Sequence, residues 1–143
     1  MSKITYYNNV KDVKGKSVCI FKALDAITSD KYSEQIKNVR LHINDKPKRD
    51  AEKIKLPLLG FCGIFTTRSN SNLIQSSGFA ILDFDHIENL QELKEIVNKD
   101  KFTFSSFISP SGDGLKVLVK IPPVSNDLDY KSFYSELQKH YDK

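Results

Sequence analysis

A chain of 143 residues is the size of one domain, and 39% hydrophobic with 28% charged residues is a core-forming rather than a disordered composition. The longest apolar run, Leu56 to Phe65, carries Pro57, Gly60 and Gly63 and is half of the roughly 20 residues a membrane helix needs. The first residues, with Lys3, Asn8, Asn9, Lys11, Asp12 and Lys14, hold no apolar stretch for a signal peptide, so the expectation is a cytoplasmic globular domain.

The net charge of +4 suits a phosphate-rich partner only weakly, since 18 acids are interspersed among 22 bases. Of those bases only Arg40, Arg49 and Arg68 are arginine. Cys19 and Cys62 each sit in an apolar run and lack the close Cys or His neighbours of a metal site. They read as buried, reduced thiols.

In chain order, Ser17 to Leu24 reads as a strand, and Asp30 to Leu41 as a helix with Tyr32, Ile36, Val39 and Ile43 along one stripe. Asn44-Asp45-Lys46-Pro47 makes a turn, Lys48 to Lys55 a short helix ended by Leu56-Pro57, and Leu59 to Thr67 a second strand. A polar loop, Arg68-Ser69-Asn70-Ser71-Asn72, follows. Phe79 to Asp85 is a strand apolar on both faces until its end, as in a covered sheet. Asn89 to Val97 is an amphipathic helix in which Asn89 and Glu92 form the analogue of a capping box. Phe102 to Ser109 and Leu115 to Ile121 are strands around the turn Pro110–Gly114, and Pro122-Pro123 ends the second. Asp127 to Tyr141 is a helix with Leu128, Phe133 or Tyr134, and Leu137 inward. Phe102, Phe104 and Phe107 split between two strand faces and are expected in the core. His42 and His140 are expected to be solvated.

From Gly78 the order is strand, helix, strand, strand, helix. The fold class is α+β: a ferredoxin-like split βαβ unit over about residues 78–143, its final strand missing, preceded by an N-terminal α/β segment. In that topology the first strand is central, and its C-terminal end faces the start of Leu115–Ile121.

Two constellations carry chemistry. In Ile81-Leu82-Asp83-Phe84-Asp85 strand alternation puts Asp83 and Asp85 on one face. Two carboxylates at the end of an apolar strand repel unless a cation joins them, and hard oxygen ligands suit Mg²⁺ or Mn²⁺. His86 is turned away by the same alternation and reads as a surface residue. In Ser109-Pro110-Ser111-Gly112-Asp113-Gly114-Leu115-Lys116 the glycines allow backbone N–H groups to approach an anion, and Lys116 can reach a phosphate held there. The same residues are also good hairpin-turn chemistry.

Together these motifs carry a resemblance. Asp83-Phe84-Asp85 resembles the first motif of archaeo-eukaryotic primase-like enzymes, and Ser111-Gly112-Asp113-Gly114-Leu115-Lys116 resembles their second. Lys55-Leu56-Pro57, Gly63 and Ser77-Gly78 are similar to the VirE N-terminal-domain branch of that superfamily, found in mobile elements and phages. The likeness extends over most of Lys53 to Ile121.

The resemblance implies a single primase-polymerase-like domain over residues 1–143 and template-directed nucleotidyl transfer in DNA replication. Asp83 and Asp85 would be the catalytic metal ligands for Mg²⁺ or Mn²⁺; Ser111, Gly112, Gly114, Lys116 and Lys55 would bind the nucleoside triphosphate. The partners implied are that nucleotide and single-stranded or primed nucleic acid, with no membrane; whether a helicase domain follows is left open. Two departures stand out. The superfamily usually has His where this chain has Lys116, and lysine lacks imidazole's proton chemistry. The family's third acidic motif is also absent, so the expectation is a domain incomplete at its C-terminus and inactive alone. A further expectation is a homodimer through an exposed strand edge.

The alternative is a degenerate, non-catalytic nucleic-acid- or protein-binding module of the same fold. Plain RNA-recognition-motif binding is disfavoured, because the inner strands lack the aromatic-glycine pattern that stacks bases.

Overall fold

The structure is a computed structural model and describes residues 2–9, 11–65, 67, 73–122 and 127–141. The chain begins with β1 (Lys3–Tyr7) and β2 (Lys16–Cys19), continues through three helices, α1 (Ile20–Thr28), α2 (Ser33–Leu41) and α3 (Lys46–Lys53), and then enters β3 (Leu58–Gly60). β1 pairs antiparallel with both β2 and β3, giving a three-stranded sheet with β1 in the middle. β4 (Gly63–Phe65) and β5 (Leu73–Ser76) form an antiparallel pair. The third sheet contains β6 (Phe79–Phe84), β7 (Thr103–Ile108) and β8 (Leu115–Lys120) in the order β6-β8-β7. α4 (Leu90–Asn98) connects β6 to β7, and α5 (Asp127–Tyr141) follows β8. The molecule is α+β, and among the described residues no helix is long and apolar enough to cross a membrane.

Both β6 and β7 run antiparallel to β8, so they are parallel to each other with β8 between them, which is the split βαβ arrangement. Alternation along the strands then sorts the side chains. Ala80, Leu82, Leu115, Val117 and Val119 form one core cluster, against which Leu90 and Leu93 of α4 and Phe133, Tyr134 and Leu137 of α5 pack. Phe79 and Leu118 turn the other way and join Ile4, Ile20, Ala23 and Phe61 in a second cluster, with Ile81 and Phe107 packed on it. One sheet thus carries helices on one face and the N-terminal half of the chain on the other.

Several expectations change. The first strand of the unit, β6, is an outer strand, and β8 is the central one. The segment expected as the second strand, Leu59–Thr67, does not pair with β6, because β3 pairs with β1 and β4 with β5. That segment is two strands rather than one. Gly63 has φ 155°, and a Cβ there would collide with the Gln75 carbonyl oxygen, so the chain bends where only glycine fits. The strand expected over Ser17–Leu24 stops at Cys19, because Ile20, Ala23, Leu24 and Ile27 recur at helical spacing and bury that stripe through α1. β1 was not anticipated at all.

α4 is capped as expected, the Asn89 side chain accepting from Glu92 N–H. The expected turn Asn44–Pro47 overlaps α3, whose N-cap is Asp45 and whose first turn contains Pro47. Leu128, expected inward, is 77% exposed, and Phe102 and Phe104 are exposed rather than core, since β7 is an outer strand. His140 is not simply solvated: its Nε2 lies 2.6 Å from Asp100 Oδ2, and its ring packs edge-on to Phe102 and Tyr141. The cysteines form no disulfide and are half-buried. The polar loop expected at Arg68–Asn72 and Pro123 of the Pro122-Pro123 stop lie outside the described residues.

Candidate functional site

Asp83 on β6 and Lys116 on β8 are direct cross-strand partners, and both project from the sheet face that meets the N-terminal half. Lys116 Nζ donates to Asp83 Oδ1 at 2.8 Å. The pair stands at the wall of a cleft of about 660 Å³ enclosed by α1, α2, α3, β3 and the sheet face. Ile81, Phe61 and Phe107 supply apolar surface, while Lys22 of α1, Lys31 between α1 and α2, and Lys53 at the end of α3 supply further cations. Four lysines against one carboxylate give the cleft a positive balance, which attracts a polyanion. Tyr6 and Tyr32 also line it. The hydrogen bond that Tyr6 gives Tyr32, followed by burial, raises the Tyr6 pKa, although Lys31 and Lys16 pull it down.

The Ser109–Gly114 turn sits beside this cleft and reaches its lining at Pro110. It is internally bonded: Gly112 N–H donates to Ser109 O, and Gly114 N–H to Ser109 Oγ. Gly112 has φ 84°, and its bare Cα lies under Arg40 of α2. Arg40 donates from Nε to Pro110 O and from Nη2 to Ser109 O, both at 3.3 Å, fastening the turn to α2. Ser111 is buried.

Asp85 follows the end of β6, and its carboxylate borders Gly114, where an added Cβ would lie 3.3 Å from Oδ1. His86, at φ 56°, bonds through Nδ1 to Asp113 Oδ2 at 2.9 Å, and Ile87 N–H donates to Asp113 O. The acidic strand end and the glycine turn are therefore stitched together. On the other side of β6, Tyr134 of α5 has its pKa raised by burial and then by the charge of Asp83.

The structure thus brings Asp83 and Lys116 into the cleft and places Asp85, Ser111, Gly112 and Gly114 next to it. Lys55 is not brought there: it points to Glu52 at 3.1 Å, and Lys53 lines the cleft instead. Sequence reasoning missed Arg40, Lys22, Lys31 and Lys53. Arg40 had one available signal, as one of three arginines in a lysine-rich chain. The lysines had none, because their elements had to be docked before their positions mattered.

Among the described residues no group of three or more His, Cys, Asp or Glu side chains converges as a metal cage. Mg²⁺, however, keeps several waters and commonly takes one or two carboxylates plus substrate phosphates. Asp83, bonded to Lys116, and Asp85, beside Gly114, are two carboxylates of that kind, and two carboxylates do not amount to the ligand set of a two-ion centre.

The class of protein is accordingly an α+β domain with a split βαβ sheet and a lysine-lined cleft against one of its faces. Residues 51–143 match the family described as BT4734-like, N-terminal domain, and the chain belongs to that family. The match spans β3 to α5 and so includes Asp83, Asp85, the glycine turn and Lys116, whereas Lys22, Lys31 and Arg40 precede it. No curated protein and no solved structure matches the chain.

Proposed function

We propose that the cleft binds a nucleoside triphosphate with a divalent cation, and that the chain is the nucleotide-binding part of a primase-polymerase acting in DNA replication of a mobile element or phage. The observation that supports this best is the Asp83–Lys116 pair at the wall of a cleft with three further lysines. The resemblance of Asp83-Phe84-Asp85 and Ser111–Lys116 to the two primase-like motifs chooses nucleotidyl transfer among the phosphate chemistries. Lys116, half in solvent, exchanges its carboxylate for a phosphate when the nucleotide enters, and this frees Asp83 for the accompanying Mg²⁺ or Mn²⁺. The ion supplies neutralisation of phosphate charge. Lys22, Lys31 and Lys53 hold the remaining phosphate oxygens, and Ile81, Phe61 and Phe107 offer apolar contact to the base. The reading carries a cytoplasmic location, where nucleotides and template are found.

A second reading is a non-catalytic binding module of the same fold, favoured by the lack of a third converging carboxylate among the described residues.

Calorimetric titration of ATP or dATP with Mg²⁺ into the protein tests the first reading. Lys116→Ala removes charge-assisted hydrogen bonds worth about 1.5–3 kcal/mol, so affinity falls about tenfold or more. Unchanged affinity in the variant, or no binding to the wild type, refutes it.

A further inference from the structure

Strand β7 ends its sheet: it pairs with β8 on one side, and among the described residues no strand pairs with its other side. Such an open edge offers backbone N–H and C=O groups in alternation, which is a template for a further strand. The sequence does little to protect it. Thr103-Phe104-Ser105-Ser106-Phe107-Ile108 contains no charged residue and no proline, and the register shift between Thr103 and Ser105 leaves Ser105–Ile108 as a regular stretch. Ser106, Phe107 and Ile108 line a groove of about 620 Å³. Consecutive strand residues point to alternate faces, and the other lining residues come from both faces of the sheet, α1 and α2 on one and α4 on the other. The groove therefore straddles the open edge of β7.

Charge selects what can fill it. Lys37 and Arg40 of α2 and Lys94 of α4 line the groove, and among the described residues no carboxylate does. Arg40 spends Nε and Nη2 on the glycine turn, which leaves three of the five N–H bonds of its guanidinium for a ligand. Ile27, Ile36 and Leu41, the last 68% exposed, set apolar surface beside those cations. We propose that an acidic peptide segment of a partner protein adds a fourth strand to the sheet along β7, its carboxylates on Lys37, Arg40 and Lys94 and its apolar side chains on Ile27, Ile36 and Leu41. The main chain of such a segment bonds the open edge, and its side chains, alternating between the two faces, reach α2 on one side and α4 on the other. A nucleic-acid strand matches the charge but not the edge, because a phosphodiester backbone carries acceptors only and leaves the β7 carbonyls without donors. Neither Lys37 nor Lys94 lines the first cleft, so this docking does not rest on the nucleotide reading.

Fluorescence anisotropy with the full chain provides the test, the probe being a labelled, end-capped peptide of central valines flanked on each side by a pair of glutamates. Lys37→Glu/Lys94→Glu should weaken binding about tenfold or more, while Lys37→Arg/Lys94→Arg keeps the charge and should keep the affinity. The same peptide N-methylated at its valines retains every carboxylate but cannot donate to a strand edge, and it too should bind about tenfold or more weakly. Saturating peptide should slow amide hydrogen exchange within Ser105–Ile108 and leave β6, at the opposite end of the sheet, unchanged. No binding of the parent peptide, or unchanged affinity in Lys37→Glu/Lys94→Glu, overturns the proposal. Equal binding of the N-methylated peptide, or of a peptide with lysines in place of the glutamates, overturns it as well, as does unchanged exchange in Ser105–Ile108. Displacement of the bound peptide by oligothymidylate at matched charge overturns it and assigns the groove to nucleic acid. Sedimentation as a dimer whose Ser105–Ile108 amides are already protected without peptide overturns it and assigns the edge to a second copy of the chain.

Discussion

Asp83 and Lys116 face each other at 2.8 Å, with their side chains 48% and 31% exposed, so the pair is screened by solvent and adds little to stability by itself. On the proposed reading its importance lies in exchange: a metal ion has to displace an ammonium from Asp83 and a phosphate a carboxylate from Lys116, so each ligand would prepare the site for the other. Manganese relaxation should therefore show weak Mn²⁺ binding that tightens in the presence of ATP and disappears in Asp83→Asn/Asp85→Asn. Equal Mn²⁺ affinity with and without ATP would remove the coupling. Asp100 gives a prediction in pH. Burial pushes its pKa up, but the hydrogen bonds from Phe102 N–H and His140 outweigh that, and the net pKa lies below the ordinary value of 3.8. A depressed carboxylate pKa contributes stability above the unfolded value and loses it as pH falls through the folded one. The melting temperature of the wild type should therefore drop more steeply below pH 4 than that of Asp100→Asn, which cannot titrate there.

At the scale of elements, what was legible depended on how far each signal was local. α4 announces itself through stripe and cap, α5 through its stripe, and β6 and β8 through apolar runs bounded by Gly78, the glycine turn and Pro122. Their pairing followed from topology, which is why Asp83 and Lys116 could be set opposite each other from the sequence. Phe104 and Leu128 failed because an apolar residue is buried only if something covers it, and β7 lies at one end of its sheet. Ile20–Leu24 failed because a short apolar run satisfies both strand and helix periods, and docking of Ile20 and Ala23 under β1 decides between them. Arg40 stood out in the sequence only as a rare arginine, and its role as a site residue was hidden because its partners lie about 70 positions later in the chain. The cap offers a measurable check on the local part. Asn89→Ala leaves Glu92 N–H without its side-chain acceptor and should cost about 1 kcal/mol, read as a lowered urea midpoint at unchanged slope. Gly63→Ala should cost more, since the new methyl meets the Gln75 backbone, which cannot swing aside as a side chain would.

Over the whole molecule, the sheet β6-β8-β7 separates two jobs. Its helical face is apolar and holds the fold, while its other face carries Asp83 and Lys116 into a cleft that the N-terminal half completes. On the proposed reading binding needs both halves, because Lys22 and Lys31 come from one and Lys116 from the other. Turnover needs something further. In-line displacement at a triphosphate is commonly assisted by two ions about 3.5–4 Å apart that clamp the attacking and leaving oxygens. On the proposed reading Asp83 and Asp85 hold one hydrated ion, and among the described residues no third carboxylate, histidine or cysteine joins them. This 143-residue chain should consequently bind nucleotide without extending a primer. The measurement is primer extension with dNTPs or NTPs and Mn²⁺ on the purified chain, alongside the ATP titration. Binding with no product is the expected outcome. Robust product that vanishes in Asp83→Asn would show that one Asp-x-Asp with the lysine-lined cleft suffices for nucleotidyl transfer, and the single-ion account of this site would fall.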